Sequence, residues 1–181
     1  MTLTTATLLP GLLLFALGAL LLIGGDSART LLKALPRSTA AAVLLFGGAA
    51  VWFLYNVLQL SSADFGDQKK PLFAGFAAVA ALSFRFAPDF LAVRGLAALT
   101  LLGAWPLLKS DYPIQNYDHP QKFLMKVFLY VCVTLAIWLG AQPWRLRDWL
   151  AWLFARPARA RVAGGLLAGY GLLLVVVAFT Y

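Results

Sequence analysis

Six runs of apolar residues, each near the length a helix needs to cross a bilayer, take up most of this chain and leave little outside them long enough to fold. A hydrocarbon core about 30 Å thick takes about 20 residues of helix at a rise of about 1.5 Å each. The runs fall at approximately 8–25, 39–60, 71–86, 89–108, 123–141 and 160–180, bounded by charges or turn residues. They predict an all-α fold: a single transmembrane domain over 1–181, built as a polytopic integral membrane bundle of six helices. Composition agrees, because 62% apolar and 12% charged residues exclude an ordinary water-soluble globule, where about a quarter of residues are charged. The third and fourth runs are parted only by the Ala87-Pro88 corner, so they predict a tight helical hairpin. No Lys or Arg precedes Arg29, so the first run reads as a retained span and not as a cleaved leader.

The formal net charge is +8, yet most of the basic residues sit in short gaps between apolar runs and form no tract that could follow phosphates of a nucleic acid. Their distribution is topological. On the first, third and fifth connections lie Arg29, Lys33, Arg37, Arg85, Arg94, Arg145, Arg147, Arg156, Arg159 and Arg161. On the second and fourth lie Lys69, Lys70, Lys109, Lys122 and Lys126, so every arginine falls on one side of the six-span map. Short loops rich in Lys and Arg stay in the cytoplasm. The expectation is therefore a multi-pass protein of a bacterial cytoplasmic (inner) membrane with both termini outside the cytoplasm.

Trp52, Tyr55, Trp105, Tyr112, Tyr117, Tyr130, Trp138, Trp144 and Tyr181 fall near span ends or adjoining loops, where amphipathic rings anchor at the headgroup level. Between the fifth and sixth runs, residues 144–156 place Leu146, Trp149, Leu150 and Leu153 at helical spacing, with Arg145, Asp148 and Arg156 off that stripe. This predicts a short amphipathic helix in the cytoplasmic interface, ended by Pro157. The first connection has a similar stretch before Pro36, and superposing Pro36 on Pro157 also superposes Gly48 on Gly169, which suggests a parallel repeat of a two-span unit.

Residues that could carry chemistry are few. One His and one Cys remove disulfide frameworks, paired-thiol redox chemistry and thiolate metal clusters. The most polar patches are Asp64 and Asp67 after the second run, and Asp111, Asp118 and His119 after the fourth. Both would face the exterior, as metal ligands or, for Asp118 and His119, as an acid/base pair, although the spacing matches no ligand motif. His119 alone gives half of a bis-histidine haem site, so no cofactor is implied. Asp89 and Arg94 flank the start of the fourth run and predict an ion pair, with lipid or anion binding as the other reading of Arg85 and Arg94. Arg145, Arg147, Arg156, Arg159 and Arg161 are further lipid- or anion-binding candidates. Apart from Arg94, the span interiors hold no Asp, Glu, Lys or Arg near the midplane except Lys126, close enough to the outer end to snorkel, which argues against a proton-coupled pump.

Small residues are abundant: Gly11, Gly18, Gly47, Gly48, Gly75, Gly95, Gly103, Gly164, Gly165, Gly169 and Gly171. The Gly165-to-Gly169 spacing is the small-xxx-small pattern, and with Gly48 it marks candidate helix-packing positions. With no soluble domain and no buried charge, the expected role is an accessory or scaffold subunit of a larger membrane assembly. Its partners would be the lipid bilayer and other membrane subunits or a second copy, with no nucleic acid. A passive transporter or channel for a small or lipophilic solute, and a membrane-embedded enzyme acting on a lipid or quinone at the outer face, are the two alternatives.

Overall fold

A computed structural model describes residues 1–61, 68–110 and 120–181. Among the described residues the chain is helical throughout, with no strand. Helix α1 (Leu3–Ile23) is capped by Thr2, whose hydroxyl accepts from the Thr5 amide at 3.3 Å. It starts five residues before the expected boundary, because Leu3 and Ala6 are buried against Met125, Leu129 and Leu174. Pro10 sits inside α1 without ending it. Gly25, at φ +53, turns the chain into the short helix α2 (Gly25–Ala34), where an L side chain would be strained. Pro36 lies in a single 3-10 turn, and Ser38 then caps α3 (Thr39–Leu58) through the Ala41 amide at 3.2 Å.

Helices α4 (Lys69–Phe86) and α5 (Leu91–Lys109) flank the Ala87-Pro88 corner. They do not form the predicted hairpin. Helix α4 packs on α3, with Phe46 edge-on to Phe84 at 5.5 Å and Phe53 edge-on to Phe76 at 5.0 Å, so these two helices run antiparallel. Helix α5 packs on the other side of α3 and on α6 (Lys122–Ala141). The wedge is physical: residues Val43–Gly47 of α3 form a widened π turn, and the Leu45–Phe46 backbone there presses on Gly95 of α5. Helix α7 (Trp144–Leu153) and α8 (Pro157–Ala178) complete the chain, with Pro157 opening α8, where its missing N–H costs nothing, and not simply closing α7.

The tightest contact joins α1 and α8. Gly11 and Gly18 on one helix face Gly171 and Gly164 on the other, seven residues apart on each, so the two backbones run antiparallel in direct contact. At Gly48, Gly165 and Gly169 an added Cβ would meet nothing within 4 Å, so none of the three mediates packing within this chain. Nor does a two-span repeat account for the arrangement, since α3 and α6, the partners implied by superposing α1–α3 on α6–α8, make no contact comparable to that of α1 with α8.

Five helices are long and apolar enough to cross a membrane: Leu3–Ile23, Thr39–Leu58, Leu91–Lys109, Lys122–Ala141 and Pro157–Ala178. They mark the chain as a membrane protein, and the outward apolar side chains, such as Leu44, Val51 and Leu166, suit a lipid solvent. Helix α4 falls short on apolarity, because Lys69, Lys70 and Arg85 all lie within its 18 residues.

Candidate functional site

The outer residues Asp64, Asp67, Asp111, Asp118 and His119 lie outside the described residues. Among the described residues no group of three or more His, Cys, Asp or Glu comes together that would hold a metal. Three surface grooves are each lined by a single helix: one by Leu72, Phe76 and Val79 of α4, one by Thr30 and Leu31 of α2, one by Val127, Val131 and Leu135 of α6.

The structured polar chemistry gathers where the first, third and fifth connections meet. Helix α7 docks there with its leucines inward: Leu150 and Leu153 are buried with Phe154 and Ala160, against Leu21 of α1, Leu32 of α2 and Ala163 of α8. Trp149, grouped with those leucines by spacing, is half exposed, as are Trp144 and Trp152. The apolar stripe is thus spent on the protein itself, and the face left outward is tryptophan and arginine. The physical reason is competition: the ends of α1, α2 and α8 offer α7 an apolar seat closer than lipid.

Each arginine has a definite setting. Arg147 donates from Nε and Nη2 to Oδ1 of Asp148 at 2.9 and 2.7 Å, with both side chains about half exposed. Arg145 donates to Gln142 Oε1 at 3.0 Å and stands 5.7 Å from the Trp138 ring centre. Arg159 donates to the Trp152 carbonyl at 3.0 Å and lies 4.5 Å over the Trp152 ring, tying the first turn of α8 to the end of α7. Arg85, Arg94, Arg156 and Arg161 are exposed. The predicted Asp89–Arg94 ion pair is not formed; the aspartate that does pair with an arginine at this end is Asp148, with Arg147. Asp89 lies ahead of the sharp turn at Phe90, whereas Arg94 sits a full turn into α5 on its exposed face.

Phe90 is the feature the sequence reading missed. Its φ of +56 is left-handed, a conformation that is costly for a bulky side chain and so held only by its surroundings. Both Arg37 of the first connection and Arg147 of the fifth lie over its ring, at 5.4 and 5.8 Å from the centre. The three arginine-bearing connections therefore share one end of the bundle. The opposite end is tied by Gln121 Nε2 donating to Thr180 Oγ1 at 3.2 Å and by the Tyr170 hydroxyl donating to the Leu124 carbonyl at 2.9 Å. The Pro88-Asp89 pair announced a turn, but no local signal marked Phe90 as its left-handed residue. In the sequence, Arg37 stands out only as a topology charge.

No protein family model matches the chain, and neither a curated protein nor a solved structure does.

Proposed function

We propose that this chain crosses a bacterial cytoplasmic membrane six times, with its arginine-bearing end in the cytoplasm and both termini outside, and serves as an accessory or scaffold subunit of a larger membrane assembly. The observation that carries the assembly role is helix α4. None of its residues is buried, and among the described residues it packs chiefly on α3. The neighbouring glycines Gly47, Gly48 and Gly75 all have open space where a Cβ would stand. In lipid, where apolar burial drives little association, helices are held by close packing at small residues, so an under-packed helix beside open glycines suits a neighbour from another subunit.

The sixth crossing is α4 itself. It runs antiparallel to α3 for 18 residues, about 27 Å of helix, and begins with two lysines that can snorkel to the outer headgroups. A single-cysteine labelling experiment tests it in a Cys132→Ala background. Gln68→Cys and Asp89→Cys, both at exposed positions, are expected to react with a membrane-impermeant maleimide from opposite sides, Gln68→Cys from outside. Labelling of both from the same side would remove the six-crossing arrangement. In the same reading α7 lies at the cytoplasmic interface, with Trp144, Trp149 and Trp152 at headgroup level. A subunit of this kind is expected to leave its membrane in fixed ratio with other subunits; a monomer that turned over a substrate unaided would overturn the assembly role.

A further inference from the structure

We infer that Arg37 and Arg147, both held beside the Phe90 ring, form a phosphate-binding clamp at the arginine-bearing end of the bundle. Three connections far apart in sequence supply it, and each is fixed independently. Arg37 is carried by the 3-10 turn whose Pro36 is buried, Phe90 by the left-handed corner before α5, and Arg147 by α7, which is seated through Leu150 and Leu153. The two guanidinium carbons lie 5.4 and 5.8 Å from the centre of the same ring. Two like charges brought to one aromatic group repel each other, and an anion beside them relieves that repulsion. Asp148 answers only part of this. It occupies the Nε–Nη2 edge of Arg147, leaving Nη1, while Arg37 has no ion-pair partner among the described residues. Asp89, next to Phe90, is exposed and joins neither arginine in an ion pair.

The chemistry that fits is a phosphate group. Guanidinium presents planar paired donors that match phosphate oxygens, and two such forks suit an oxyanion with several acceptor oxygens. Such a phosphate can come from an anionic phospholipid headgroup or from free phosphate.

Binding to the full-length protein in neutral maltoside micelles distinguishes the two sources. The probes are phosphatidylglycerol and phosphate-free diacylglycerol, counted by native mass spectrometry, and inorganic phosphate, measured by calorimetry. Phosphatidylglycerol is expected to bind and diacylglycerol not to bind. If inorganic phosphate also binds and competes, the clamp takes free phosphate; if it does not, the clamp takes the lipid. In either case Arg37→Gln/Arg147→Gln should weaken binding on the order of tenfold or more, as expected for loss of two charge-assisted forks. Arg37→Lys/Arg147→Lys, which keeps the charge, should fall between. Asp148→Asn frees the second edge of Arg147 and should tighten binding severalfold, a gain that loss of folding cannot mimic. Equal binding by the glutamine variant, an equal loss in Arg156→Gln/Arg161→Gln, or no binding of either phosphate probe to the wild type would overturn the clamp. These outcomes leave the assembly role standing, since that is read from co-extraction and not from phosphate binding.

Discussion

Replacing Gly18 by alanine is expected to destabilise the protein by about 2–3 kcal/mol or more, whereas the same change at Gly165 should leave stability unchanged or raise it by up to about 1 kcal/mol. A Cβ on Gly18 would overlap the Ala168 amide nitrogen and lie 2.7 Å from the Gly164 carbonyl oxygen. Both are backbone atoms of α8, so relief requires the two helices to move apart and not a side chain to turn. That separation would undo the facing contact at Gly11 and Gly171 and loosen the cluster of Leu3, Leu14, Met125, Leu129 and Leu174 beneath it. At Gly165 a methyl group meets open space and only the helix-propensity gain remains. Unfolding of the two variants by dodecyl sulfate titration in mixed micelles measures the difference. Equal effects at the two positions would mean that the α1–α8 contact has been assigned to the wrong glycines.

At Gly95 alanine is expected to act on a different part of the molecule, with a loss of similar size and a change in α4, which Gly95 does not touch. Its Cβ would stand 2.5 Å from the Phe46 Cα and 2.6 Å from the Leu45 carbonyl carbon, again backbone, at the π turn of α3. Pushing α3 off α5 disturbs the helix on which, among the described residues, α4 chiefly packs. Hydrogen exchange across 69–86 should therefore accelerate in Gly95→Ala and stay at the wild-type rate in Gly75→Ala, where the added methyl meets nothing within 4 Å. Unchanged exchange in both variants would show that α4 is held by something other than α3.

The helical class and the arginine asymmetry were legible because they depend on run length and on charges in gaps, quantities the sequence carries directly. Which side of each helix faces which neighbour was not. Helices α1 and α8 are apolar all round, so no polar face sets their rotation, and the eye falls on the short Gly165-to-Gly169 spacing when the working pairs are Gly11 with Gly171 and Gly18 with Gly164. The α4–α5 hairpin failed for a related reason. A short corner ordinarily makes neighbours of the helices it joins, but Gly95 lets α3 come in against α5, and α4 follows α3. On α7 the spacing groups Leu146, Trp149, Leu150 and Leu153, but Trp149 lies outward, and the seat of the leucines depends on where the ends of α1, α2 and α8 lie. Of the site, the individual arginines were visible, and their meeting at Phe90 was not, because it joins three connections and rests on a backbone conformation that residue identity does not announce.

The assembly role is tested most directly by native mass spectrometry of a tagged copy extracted gently from its own membranes. The account predicts recovery in fixed ratio with other membrane subunits, lost when bulky residues are placed at Gly48 and Gly75, where the chain itself leaves room. Recovery as a lone monomer, with or without retained lipid, would contradict it.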